Sequence, residues 1–288
     1  MNFYISTEEL AQRKRVNFSV NLDESGLLIS SCPQEIVTAP LVQVPIAGLL
    51  TDVNHLSWRE LDAIGRSKKA RQQIALGAVK TDHMKNGFAA EYRIIGFDHD
   101  DLADGSGKAP FSWEMTRIYK ERRPWNTECT NKGGWDKSEL RKWLNSEFLE
   151  LCSDELQSVI RPVIKLTSAG GCSNEIIKSV DRIFILSEKE VYGRVFYSVP
   201  GEGSWYEYYR MEDVPYYGLD EDGDPCSSDL RSPCYDYNSS FCLVTGNGAI
   251  NGTTPQGTRA GCAPALASNL QSVKSCPRKR ADLPNESR

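Results

Sequence analysis

Residues 16–22 alternate apolar and polar side chains, Asp23-Glu24-Ser25-Gly26 interrupts them, and Leu27-Leu28-Ile29 resumes an apolar run. Successive strand residues point to opposite faces, so this pattern predicts a half-buried strand, a turn and a second strand. Pro33, Pro40 and Pro45 then remove backbone donors and predict extended or edge pairing. Helix signals come next. Ser57-Trp58-Arg59-Glu60 has the spacing of a capping box and predicts a helix to about Arg66. Residues 91–97 read as a strand ending in the acidic turn Asp98-His99-Asp100-Asp101. Asp136-Lys137-Ser138-Glu139 predicts another cap, behind which Leu140, Trp143, Leu144, Phe148 and Leu151 keep helical spacing. Ser153 opens a shorter helix through Leu156 and Ile160, closed by Pro162. Residues 182–186 read as a buried strand, and Ser187-Glu188-Lys189-Glu190 as the cap of a short helical turn.

Beyond Gly193 the pattern changes. Gly, Tyr, Ser, Asp and Asn dominate to about residue 262, and the strands predicted there are short. Helices early with short strands and long loops late predict an α+β domain. The expected organisation is a small β-rich N-terminal extension at 1–50 that serves assembly or attachment, a main domain at 51–270 and a polar tail at 271–288. Hydrophobic content of 40%, charged content of 25% and a net charge of -5 fit a globular chain with no general pull toward nucleic acid or anionic membrane. No apolar run approaches the about 18 residues of a membrane span. The N-terminus has no apolar signal core. The expectation is a protein made in the cytoplasm without a signal peptide and without membrane insertion.

Candidate chemistry is sparse. The nine cysteines contain no CxxC pair, which argues against a zinc knuckle or thioredoxin-type site and for reduced thiols. Asp98, Asp100, Asp101 and Asp104, and Asp220, Glu221, Asp222 and Asp224, are the acidic clusters that could hold calcium. Neither completes a calcium loop: counting from Asp220, Pro225 stands where glycine is needed and Arg231 where the closing glutamate belongs. Solvated turn carboxylates are the better reading, and no metal or cofactor is expected. The three histidines, His55, His83 and His99, lie far in sequence from the late cysteines, so no Cys–His pair is indicated. The Gly201-Glu202-Gly203-Ser204 and Gly246-Asn247-Gly248 runs lack the lysine of a phosphate loop.

The stretch from Cys226 to Cys262 carries the sharpest signal. Lys, Glu, Met, Trp and Gln make up 54 of the 288 residues, yet these 37 positions hold only Gln256. None of those five types can be reached by randomising the first two bases of an AAC asparagine codon, whereas every other residue present can. A polar, glycine-rich loop short of long side chains by chance is the alternative. Trp205, Tyr206, Tyr208, Tyr209, Tyr216 and Tyr217 precede the stretch, and Tyr235, Tyr237 and Phe241 lie inside it. Tyr set among Ser, Gly and Asn is the composition of antibody-type binding faces. The tyrosines before residue 218 read mostly as framework.

The blocks Ile94-Ile95-Gly96-Phe97-Asp98-His99-Asp100-Asp101, Asn131-Lys132-Gly133-Gly134-Trp135, Leu186-Ser187-Glu188-Lys189-Glu190, Tyr197-Ser198-Val199, Gly201-Glu202-Gly203-Ser204, Leu230-Arg231-Ser232-Pro233 and Ala263-Pro264-Ala265-Leu266 stand in this order within roughly residues 57–270. In order and spacing the chain resembles a family of uncharacterised domains from gut-associated Gram-positive bacteria and their phages. Its members resemble C-type lectin folds, and some resemble the variable proteins of diversity-generating retroelements, in which a reverse transcriptase copies a template with errors at adenines. The resemblance implies a C-type lectin-like fold. It also implies a non-enzymatic protein whose binding face, between the Leu-Arg-Ser-Pro and Ala-Pro-Ala-Leu elements, is rewritten and faces solvent. One departure stands out: Ser228-Asp229 replaces aromatic residues usual before Leu-Arg-Ser-Pro.

The expected ligand-contacting residues are Ser227, Ser228, Asp229, Cys234, Tyr235, Asp236, Tyr237, Asn238, Ser240, Leu243, Thr245, Asn247, Ile250, Asn251, Thr253 and Arg259, with Tyr235 and Tyr237 as anchors. The expected partner is a protein or glycan on a bacterial cell surface, met by a phage-borne or cytoplasmic homo-oligomer whose association through residues 1–50 would add avidity. Two alternatives accompany this reading. One is a formylglycine-generating type of oxidase, also similar to C-type lectin folds, using Cys234, Cys242 and Cys262. The other is a structural surface protein with a static lectin-like site.

Overall fold

The structure, a computed structural model, describes residues 48–257 and 260–268, together with the strands at 18–23 and 26–31. The chain divides into two units between Ala47 and Gly48. In the first, β1 (Phe18–Asp23) and β2 (Gly26–Ser31) pair antiparallel, from Asp23 opposite Gly26 out to Phe18 opposite Ser31. These are the two strands that the alternation predicts; Glu24 and Ser25 of the expected turn lie outside the described residues. The breaks expected at Pro33, Pro40 and Pro45, and the tail at 271–288, lie outside the described residues.

The second unit is an α+β domain. Its main sheet draws β3 (Leu50–Asp52), β4 (Ile74–His83), β5 (Ala89–Phe97) and β6 (Phe111–Met115) from the first half of the domain. A separate ribbon, β7 (Val163–Ser168) with β8 (Ile176–Asp181), follows, and β9 (Ile183–Phe184) returns to the main sheet. The late half holds a two-residue pair, β10 (Gly218–Leu219) with β11 (Pro225–Cys226). After it comes an antiparallel meander of β12 (Ser228–Pro233), β13 (Phe241–Val244) and β14 (Ile250–Thr253). The last strand, β15 (Ala265–Ser268), inserts between β6 and β9, giving the order β3-β4-β5-β6-β15-β9. Only the β3–β4 pair is parallel in that sheet. All four β15 side chains are buried, so Ala265-Leu266-Ala267 reads as an unbroken apolar run, and the buried Ser268 hydroxyl accepts from Trp113 Nε1 at 3.0 Å.

The capped helices form where their caps predict. In α1 (Trp58–Arg66), Ser57 Oγ accepts from Glu60 N at 3.1 Å while Glu60 Oε2 accepts from Ser57 N at 2.7 Å. The second helix has a different start: a separate turn, α2 (Gly134–Lys137), comes first, and Ser138, not Asp136, caps α3 (Glu139–Trp143). That helix runs on through a π-helical turn, Leu144–Phe148, into Leu149–Leu151. Asn145 in the wide turn donates to Ile183 O at 2.7 Å and accepts from Arg182 N at 2.8 Å, which fixes β9 beside the helix. Ser153 caps α4 (Asp154–Val159), and Ser187 with Glu190 caps α5 (Glu188–Tyr192), which Gly193 ends in the left-handed region at φ 70°. Among the described residues no helix is long and apolar enough to cross a membrane.

Candidate functional site

The meander carries the late segment. β13 is its middle strand, with every side chain buried, and β14 its outer strand, with Asn251 exposed. Between Asp229 opposite Leu243 and Pro233 opposite Phe241, three residues of β12 face one of β13. Such a bulge frees residues from the ladder and re-aims them. Arg231 N bonds to Leu186 O at 2.9 Å instead, and its guanidinium turns inward, fully buried. There it donates to Thr167 Oγ1 at 3.2 Å, Ile185 O at 2.9 Å, Glu202 O at 3.2 Å and Glu190 Oε1 at 2.7 Å. Glu190 also meets Lys165 at 2.8 Å, and Lys165 meets Asp100 at 2.8 Å. Burial alone would raise the Asp100 pKa, but the ammonium of Lys165 beside it holds it down to about 2. The sequence groups Asp100 with solvated turn carboxylates, and here the structure corrects it. Asp100 is buried because a lysine on β7 neutralises it and Ser112 and Tyr206 donate to it.

On this frame the loops are held by their main chain. Asn131 is the chief clamp for residues 234–240. Its side-chain amide donates to Cys234 O at 3.2 Å, Tyr237 O at 2.8 Å and Ser240 O at 2.7 Å, and its backbone N–H to Asn238 O at 2.7 Å. Two glycines seat Asn131 itself. A Cβ on Gly170 (φ +67°) would lie 1.9 Å from Asn131 O, and one on Gly134 (φ +56°) 2.0 Å from Ser168 O. Only glycine allows both the left-handed backbone and the close approach. The neighbouring segment is fixed in the same manner: the buried Glu188 carboxylate accepts from Phe196 N and Ser198 N, each at 2.8 Å. Tyr235 N then donates to Tyr197 O at 2.7 Å, joining the two loops. At the other end of the meander the Tyr192 hydroxyl donates to Gly248 O at 2.9 Å.

The side chains left outward form an aromatic strip. Phe196, Tyr197, Tyr235 and Tyr237 are four of the seven large apolar side chains exposed among the described residues, and Tyr237 is the most open at 62%. Clustered exposed aromatics mark interaction surfaces more often than scattered ones do. Beside them a cleft of about 680 Å³ opens between Tyr192, Arg194, Phe196, Trp205, Tyr216 and the 248–250 turn. The Trp205 N–H is satisfied by Val191 O at 2.9 Å, so that ring offers its apolar surface to the cleft.

The expected contact residues separate into groups. Tyr235, Asp236, Tyr237, Asn238, Asn247 and Asn251 are exposed, and Ser227, Ser240, Thr245, Ile250 and Thr253 are half-buried. Thr245 and Asn247 also bond to one another across the 245–249 turn. Ser228, Asp229, Cys234 and Leu243 are buried, against the expectation that the segment faces solvent. They sit in or beside β12 and β13, whose side chains are all buried. Arg259 lies outside the described residues. Asn131, Glu188, Arg194, Phe196 and Trp205 escaped the sequence-based site. For Asn131 the adjacent Gly133-Gly134 pair was the available signal of close backbone approach.

Two chemical details bear on the alternatives. Burial pushes the Asp229 carboxyl up to about 7. The Trp125 N–H and the Arg122 charge nearby act in the opposite direction, and burial outweighs them. Cys234 and Cys242 are buried with their sulfurs 3.7 Å apart. Hydrogen bonding to Cys234 and burial push the Cys242 thiol well up, and burial does the same to Cys262. Among the described residues no three His, Cys, Asp or Glu side chains gather as a metal site.

A protein-family profile described as a domain of unknown function (DUF6273) matches residues 115–269. The chain belongs to that family. The DUF6273 match takes in Asn131, Glu188, Glu202, Arg231, the whole 226–262 segment and β15, so clamps and loops are parts of one domain type. It begins at Met115, the last residue of β6, and leaves β3 to β5 outside. No curated protein and no solved structure matches the chain.

Proposed function

We propose that this DUF6273 chain is a non-enzymatic ligand-binding protein of C-type lectin-like fold, whose face at 226–262 is diversified by a retroelement. Its ligand is a protein or glycan on a bacterial cell surface, and its gene is phage- or prophage-borne. The observation that carries this reading is the mode of anchoring. Asn131, Glu188 and Tyr192 hold the loops by carbonyls and N–H groups. Side chains at 235–238 and 251 are therefore free to change without loss of the fold. Gln256, the residue in the segment that an AAC-derived codon cannot encode, supports the same reading: its amide donates to Thr127 O at 2.7 Å, a framework contact. The aromatic cleft supports it too, since a wall outside the segment (Tyr192, Phe196, Trp205, Tyr216) faces a wall inside it (Gly248, Ala249, Ile250). A constant wall can supply general affinity while the other selects.

The oxidase alternative would need thiolates at Cys242 and Cys262, a form that hydrogen bonding to Cys234 together with burial disfavours at Cys242 and burial disfavours at Cys262. The deciding experiment is to sequence the DNA around the gene. A reverse-transcriptase gene and a near-repeat of codons 226–262, differing only at adenines of the template, are expected. An intact locus with neither removes the diversification claim.

Asp229 gives a protein-level test. The aspartate codon GAC lies one base from AAC, and a buried carboxyl at this position is consistent with a varied codon. The folded chain keeps this proton up to about pH 7, whereas the unfolded chain releases it near the ordinary 3.8. Stability contributed by the protonated form is thus lost as pH rises between those values. Asp229→Asn should raise the melting temperature at pH 8 by about 5 °C and leave it unchanged at pH 4. Equal shifts at both pH values would show that ionisation at Asp229 is not the cause.

A further inference from the structure

We propose that Cys234 and Cys242 are a modification site, forming a reversible disulfide that staples the base of the 234–240 loop. Their sulfurs already stand 3.7 Å apart. Cys234 N bonds to Ser240 O at 2.9 Å, so the first cysteine closes the loop, while the second lies in β13 opposite Gly252. Gly252 provides the room. A Cβ there would lie 3.3 Å from Cys234 Sγ, and Gly252 itself is exposed, so the thiol pair sits directly beneath a residue with no side chain to cover it.

The oxidant is a low-molecular-weight disulfide, RS–SR. Cys234, next to the exposed Tyr235, loses its proton and its sulfur attacks one sulfur of RS–SR, breaking that bond and releasing RS⁻, which takes up a proton. Cys242 Sγ then gives its proton to the second departing RS⁻ as it attacks Cys234 Sγ. Two protein thiols are oxidised and one RS–SR is reduced to two RSH. The closed loop would hold Tyr235 and Tyr237 with less freedom to lose on binding a ligand. That consequence rests on the binding function proposed above; the bond itself does not.

The test is intact mass and disulfide mapping of the full chain in oxidised and reduced glutathione. The expected product is lighter by about 2 Da, with the peptides holding Cys234 and Cys242 linked. Its melting temperature should be about 5 °C higher, reversed by a reducing thiol. Cys234→Ser and Cys242→Ser should each abolish the link and the shift. A second arm, unfolding and refolding in oxidised glutathione, removes any barrier from burial. If the two cysteines stay unlinked there, link to other cysteines, or stop at mixed disulfides with glutathione, the proposal is overturned. None of these outcomes depends on whether a ligand binds.

Discussion

Arg231→Met is expected to lower the melting temperature of the domain by about 10 °C, the effect of a loss of about 3–5 kcal/mol. Methionine keeps much of the volume, so the loss is electrostatic. Without the guanidinium, Glu190 keeps Lys165 as its cationic partner and the Ser187 N–H of the helix cap, and the carbonyls of Ile185 and Glu202 lose donors in a region closed to water. Removing one partner of a buried pair leaves a charge that neither solvent nor protein compensates. Because Arg231 also ties the β12 bulge to Leu186 and the β7 backbone, unfolding should remain cooperative instead of confined to the meander. Thermal melts of wild type and variant measure this directly. A shift below about 2 °C would mean that the network is not what fixes β12.

Asn131→Ala should cost about 3–4 kcal/mol, since it strips donors from three buried or half-buried carbonyls and the acceptor of Gly171 N at once. Substitutions on the loop that Asn131 clamps should do almost nothing to stability. Tyr235→Ala, Asp236→Ala, Tyr237→Ala and Asn238→Ala are each expected within about 0.5 kcal/mol of wild type in urea unfolding. The contrast is the point: one framework side chain outweighs four loop side chains together. If the loop alanines sum to a loss as large as Asn131→Ala, then their side chains support the fold and cannot vary freely.

Legibility in the sequence followed a physical line. Caps were readable because a serine and a glutamate three residues apart satisfy donors locally, as at Ser57 and Ser187. The strands β4, β6 and β7 were not, although each is a main structural element. Their inward positions hold Lys80 and Asp82, Ser112 and Glu114, and Lys165 and Thr167. Those residues belong inside because of partners far along the chain: Leu56 O for Lys80, Ser153 for Asp82, Arg93 and Tyr209 for Glu114, Asp100 and Glu190 for Lys165. Binary patterning cannot anticipate a polar residue that a distant partner neutralises. The same limit applied to the site. Codon-set composition picked out 226–262, and Tyr235 and Tyr237 are exposed there, but composition could not tell the inward Asp229 and Leu243 from the outward Asp236 and Asn251.

β15 follows every other described strand in the chain, yet it sits between β6 and β9 inside the main sheet. A nascent chain therefore keeps two strand edges open until everything upstream of residue 265 has been translated in frame. A frameshift anywhere in 226–262 would leave that gap unfilled, and the product would expose unpaired edges to proteases and chaperones. The fold thus inspects the reading frame of its own loop segment before it completes.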